Sequence, residues 1–263
     1  MAYLELPDCK LYYVIDDHTD PWTTPETVLF VHGFTESTEA WRAWVPHFSR
    51  HYRVLRIDQR GFGRSGAVPA DYPLTTGRYV EDLAEVIRKV AKGPVHVVAG
   101  KSGGISVMVL AATHPELVKT VTVSCSPVTP PAAQGWIEEM ERDGMQAWAR
   151  RTQRSRMGSR MPEAGIAWWS KLMGKTKVST AHAYLRWVGA IDIREDVKRI
   201  QCPTLVIGTD TAHRGRDVFA SWQKTIPNSG LAMLPLDGYH AAATDPDMTA
   251  RVTREFIDKH AVA

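Results

Sequence analysis

The chain has 263 residues, 44% of them apolar and 23% charged, with a net charge of +3. That length and composition allow one large α/β domain with an insertion, or two small domains, and exclude a disordered chain. So small a charge leaves no footprint for nucleic acid or an anionic membrane, and the scattered Cys9, Cys125 and Cys202 form neither a disulfide framework nor a metal cluster.

The opening MAYLELPDCK lacks a basic stretch followed by an apolar one. No apolar run approaches the roughly 20 residues of a membrane helix. The expectation is a cytoplasmic protein with no membrane partner.

In chain order, a short strand is predicted over 11–15. Four apolar, β-branched runs follow at 27–32, 52–57, 95–99 and 118–125, each bounded by Gly, Pro or charged turns. Helices are predicted over 75–91 and 103–113, the second stopped by His114-Pro115. This alternation predicts a doubly wound parallel sheet. From 127 to 200 there is no strand pattern. A Pro-rich entry (Pro127, Pro130, Pro131) leads into helical segments carrying Trp136, Trp148, Trp168, Trp169 and Trp187. Strands return at 204–208 and 231–236, and an amphipathic helix closes the chain over 244–260. The expected organisation is a core of 1–126 and 201–263 with a helical cap, 127–200, over the carboxyl edge of the sheet, where open α/β sheets bind ligands.

The strand at 95–99 runs into Gly100-Lys101-Ser102-Gly103-Gly104, and a helix pattern follows at once. This is G-x-S-x-G between a strand and a helix, the setting in which a strained turn lifts a serine hydroxyl clear of the sheet. Ser102 is therefore the expected nucleophile. His32-Gly33-Phe34-Thr35 follows the 27–32 strand, so the amides of Phe34 and Gly103 are the expected oxyanion donors. His32 is assigned to holding that loop. The loop from Asp58 to Ser65 lacks the spacing of a phosphate cradle and is read as structural, braced by Asp58 and Arg60.

His240, in Asp237-Gly238-Tyr239-His240 after the last strand, is the expected base, ahead of His213 and His182. Asp210, at the end of the 204–208 strand, is the expected acid, with Asp217 as competitor and Asp237 too close in sequence to His240.

These stretches, with Leu205-Val206-Ile207-Gly208-Thr209-Asp210, resemble the α/β-hydrolase superfamily over nearly the whole chain. The resemblance implies an eight-stranded, mostly parallel sheet flanked by helices, a helical cap after the sixth strand, and no cofactor. Two departures stand out. Many relatives carry the acid where Thr211 stands, and Lys101 sits where His, Asn, Trp or Tyr are commoner.

The implied chemistry is that of a carboxylesterase or lactonase working through an acyl-enzyme on Ser102. The same constellation serves carbon–carbon bond hydrolases and amidases, and a non-catalytic ligand receptor is a further reading. The cap carries thirteen Lys/Arg against eight Asp/Glu, with Arg150, Arg151, Arg154, Arg156 and Arg160 clustered. They form either a solvated helix face or an attraction for an anionic substrate. The expected partner is a small ester-like molecule, aromatic or anionic, and not nucleic acid.

Overall fold

The β-branched runs become the strands of one sheet in the computed structural model, which describes residues 2–211 and 215–261. β1 (Ala2–Leu6) and β2 (Cys9–Asp16) form an antiparallel hairpin. β3 (Thr27–Val31), β4 (Arg53–Ile57), β5 (Val95–Gly100), β6 (Val118–Ser124), β7 (Thr204–Thr209) and β8 (Ser229–Leu234) follow. The order across the sheet is β1-β2-β4-β3-β5-β6-β7-β8. β2 runs antiparallel to β4, and the six strands from β4 to β8 are mutually parallel. β3, β5 and β7 are buried along their whole length, as continuous apolar runs covered on both faces must be.

The helices are α1 (Val45–Phe48), α2 (Thr76–Val86), α3 (Gly103–Thr113), α4 (Trp136–Asp143), α5 (Met145–Met157), α6 (Glu163–Met173), α7 (Val178–Val188), α8 (Arg194–Val197), α9 (Arg216–Gln223), α10 (Ala241–Thr244) and α11 (Pro246–Asp258). Residues 127–200 contain α4 to α8 and no strand. Rings join this segment to the sheet edge: Tyr184 stacks on Phe34 at 4.7 Å, and Trp169 lies 4.9 Å from His240.

Three local expectations change. β1 escapes a search for buried apolar runs because it is an edge strand whose residues alternate between half-buried and exposed. The helix predicted over 75–91 is α-helical only to Val86. It finishes in a wider π turn closed by Lys92 N–H on the Ile87 carbonyl. The closing helix predicted over 244–260 is interrupted at Asp245-Pro246, where Asp245 caps α11 through Met248 N–H at 3.0 Å.

The clustered cap arginines resolve into two groups. Arg150 and Arg154 pair with Glu163, Arg151 with Glu139 and Asp143, and Arg160 with Asp245, all on the surface. Arg156 alone of the five turns inward. It is buried, with its guanidinium 4.7 Å from the Trp148 ring and 5.1 Å from that of Trp136.

Candidate active site

The turn between β5 and α3 holds its strain at Lys101. Lys101 has a φ of +52°, a left-handed conformation that costs a side-chain-bearing residue roughly 1 kcal/mol or more. Ser102 already has helical angles (φ −67°, ψ −13°) as the residue that caps α3. The close approaches agree with this frame. A Cβ on Gly103 would lie 2.3 Å from the His32 carbonyl oxygen, whereas one on Gly100 would find its nearest neighbour at 3.7 Å. The glycine that the turn needs is therefore two residues after Lys101. The centre of the turn is Lys101, one residue earlier than G-x-S-x-G placed it.

Lys101 is buried, and its Nζ donates to Oε1 of Glu36. The same oxygen lies 2.6 Å from Nε2 of His240, and the other carboxylate oxygen of Glu36 accepts the Gly33 N–H at 3.0 Å. Burial alone would raise the Glu36 carboxyl. Lys101, and after it His240, reverse this and hold the group well below the usual carboxylate range. Burial lowers the Lys101 ammonium against the pull of Glu36. Burial also lowers His240, with Lys101 adding to the effect and Glu36 opposing it. The three side chains form one buried cluster around a carboxylate.

Ser102 belongs to a different set of contacts. Its Oγ accepts the Phe34 N–H at 3.2 Å and the Tyr184 O–H at 2.7 Å. Lys101, Ser102, Phe34, Tyr184 and Arg156 line a cavity of about 480 Å³ between the sheet edge and the helices of 127–200. That is ample for a small molecule with an aromatic or branched body.

The expected triad is not assembled. Among the described residues no hydrogen bond joins Ser102 to His240, because the Nε2 that would meet the hydroxyl is taken by Glu36. Asp210 is exposed at the end of β7, and its carboxylate lies against Gly215. Asp217 is exposed in the first turn of α9. Asp237 accepts the Ser159 N–H at 3.0 Å. His182 pairs with Glu141, and His213 lies outside the described residues. The Phe34 amide does face the site, while Gly103 packs its Cα under the His32 carbonyl.

His32 holds its loop, accepting the Gln59 N–H at Nε2 and bonding the Gly33 carbonyl at Nδ1. Asp58 accepts the amides of Thr38 and Arg64, and Arg60 is clamped on Asp82. Both loops are thus rigid supports for the site.

Glu36 is the residue that sequence reasoning missed. Its signal is a carboxylate two residues beyond Phe34, on a loop that must approach the reaction centre. Thr35 takes a left-handed φ of +62° there and turns the next side chain inward.

A family model described as the α/β hydrolase fold matches residues 26–157. The chain is 25% identical over 260 residues to a 2-hydroxy-6-oxo-6-(2'-aminophenyl)hexa-2,4-dienoic acid hydrolase of Metapseudomonas resinovorans, covering 90% of this chain and 85% of that one. It is 33% identical over 98 residues to an (E)-2-((N-methylformamido)methylene)succinate hydrolase of Acinetobacter baylyi, a match covering 37% of this chain but only 36% of that relative's length. Among solved structures, an enol-lactonase from Burkholderia xenovorans superposes with a TM-score of 0.88 at 19% identity, covering 97% of this chain and 99% of that one. That superposition shows the shared fold.

Proposed function

This chain belongs to the α/β-hydrolase fold family, and on that premise we propose that it hydrolyses a small ester, lactone or related activated carbonyl compound with Lys101, Glu36 and His240 as its acid–base unit. The carrying observation is that Lys101 occupies the strained residue between β5 and α3, where this fold presents its reacting side chain, and faces the cavity.

The carbonyl oxygen sits against the Phe34 N–H and the amide of Ser102, the residue that follows the strained one. When the carbonyl takes the Phe34 N–H, Ser102 Oγ keeps the Tyr184 O–H and donates its own proton to the same oxygen. Lys101 first passes a proton from its ammonium to Glu36; the free amine then takes a proton from the attacking water, and the ammonium so formed returns it to the leaving alkoxide. Burial lowers the Lys101 ammonium, which eases that transfer, and Glu36 fixes where Nζ points. His240 in turn fixes Glu36. Arg156 and the rings around it suit a substrate with a carboxylate and an apolar body. The two hydrolases named above act, by their names, on carboxylic acids.

A serine mechanism rests on Ser102 Oγ lining the cavity beside the Phe34 amide, and among the described residues no base is hydrogen-bonded to that hydroxyl. Release of nitrophenol from nitrophenyl esters, with enol lactones run in parallel, separates the two. Lys101→Met is expected to lose about 10²–10³-fold in kcat/KM, and Ser102→Ala about tenfold. Abolished turnover in Ser102→Ala with turnover kept in Lys101→Met overturns the proposal.

A further inference from the structure

We infer that Lys101 forms a covalent imine with the ketone or aldehyde group of small oxo acids that enter the cavity. This rests on the reading above in one respect, that the cavity over the β5–α3 turn is the reaction site.

Four features of the site support an amine that reacts as a nucleophile. The left-handed backbone at Lys101 fixes its Cα between strand and helix. Its stem is clamped, since a Cβ on Gly33 would come within 2.9 Å of Lys101 Cε. The side chain is only 8% exposed, so Nζ carries little of the hydration shell that shields a surface lysine. Yet Lys101 lines a cavity large enough to admit a carbonyl compound. Glu36 touches Nζ, and Arg156, lining the same cavity, adds positive charge that disfavours the ammonium.

The chemistry balances without a further reactant. Glu36 takes a proton from the Lys101 ammonium, the free amine attacks, and an N–C bond forms. The carbonyl oxygen takes one proton from that nitrogen, beside the Phe34 N–H, to give a carbinolamine. Glu36 returns its proton to the hydroxyl, which leaves as water with its C–O bond broken, and a protonated imine remains beside the Glu36 carboxylate. One ammonium and one carbonyl become one iminium and one water. The buried site thus holds a single cation against Glu36 before and after, and no charge has to be carried out of a low-dielectric interior. Arg156, over the Trp136 and Trp148 rings, supplies the counter-charge for the carboxylate of an oxo acid.

The test is reductive trapping of the full-length protein with phenylpyruvate and cyanoborohydride, read by peptide mass spectrometry. The expected result is a reduced adduct on the Lys101 peptide, forming about tenfold faster than on any other lysine. The adduct should be absent from Lys101→Arg, which keeps the charge beside Glu36, and from Lys101→Met. Label spread over surface lysines with Lys101 untouched, in protein of unchanged melting temperature, overturns the imine. Unlabelled Lys101 together with hydrolysis lost in Lys101→Met removes the imine and leaves the acid–base reading standing. Labelled Lys101 with no ester or lactone turned over keeps the imine and removes the hydrolase reading.

Discussion

Glu36 and His240 lie 204 residues apart in the chain, yet Oε1 of the first is 2.6 Å from Nε2 of the second. That contact ties the loop after β3 to the loop after β8 directly across the reaction centre. Because the same oxygen receives Lys101 Nζ, one carboxylate sets the position of both basic groups.

Glu36→Gln tests that coupling. An amide neutralises the carboxylate and leaves the Lys101 charge buried without its counter-charge, which is expected to cost about 3 kcal/mol of stability. Turnover should fall with it, because Nζ loses its anchor. Urea unfolding, with kinetics on the folded fraction, measures both. Unchanged stability would show that the cluster is not ionised.

Acid should destabilise the protein in two stages. His240 is held below its ordinary 6.5, so as pH falls the unfolded chain takes up that proton first and stability declines from there. Glu36 is held well below its ordinary 4.5, so its contribution is present above that value and is lost as pH falls through the lower folded one. Urea midpoints from about pH 8 down to about pH 2 trace both stages. In His240→Gln the first stage should be shallower, with the remainder left to His32 and His96, which are lowered by the same burial.

Tyr184→Phe keeps the ring stacked on Phe34 and deletes only the hydroxyl that donates to Ser102 Oγ. Stability should drop by about 1 kcal/mol. If Ser102 orients the substrate oxygen, kcat falls about tenfold while KM changes little. A change in KM alone would assign Tyr184 to substrate packing instead.

Arg156→Met replaces the inward guanidinium with an apolar chain of similar length. For carboxylate-bearing substrates KM should rise about 10–100-fold, and for neutral esters it should hold or fall. An equal effect on both classes would mean that Arg156 supports the cap through its ring contacts rather than binding an anion.

The alternation of apolar runs and helices was readable in the sequence. A strand buried on both faces has to be continuously apolar, and the sharp turns between elements need Gly, Pro or charged residues. The helical character of 127–200 was readable for the complementary reason, because that stretch contains no such run. The roles of His32, Asp58 and Arg60 also followed locally, since each braces a loop beside its own position.

The active-site assignments were less readable. G-x-S-x-G is a pattern of residue types and fits only with Ser102 at its centre; the frame one residue earlier, Ala99-Gly100-Lys101-Ser102-Gly103, has no serine to mark it. Only the close packing of Gly103 on the His32 carbonyl and the left-handed φ of Lys101 select the frame with lysine at the centre. Glu36 is marked only by its place two residues beyond Phe34, because its partners Lys101 and His240 come from two other loops. Asp210 looked suited to orient His240 by its position after β7, but the chain turns it outward. Local pattern set which elements form, because their burial is decided within each run. The Lys101, Glu36 and His240 cluster depended on distances between the loops after β3, β5 and β8, and those exist only once the sheet has brought the three together.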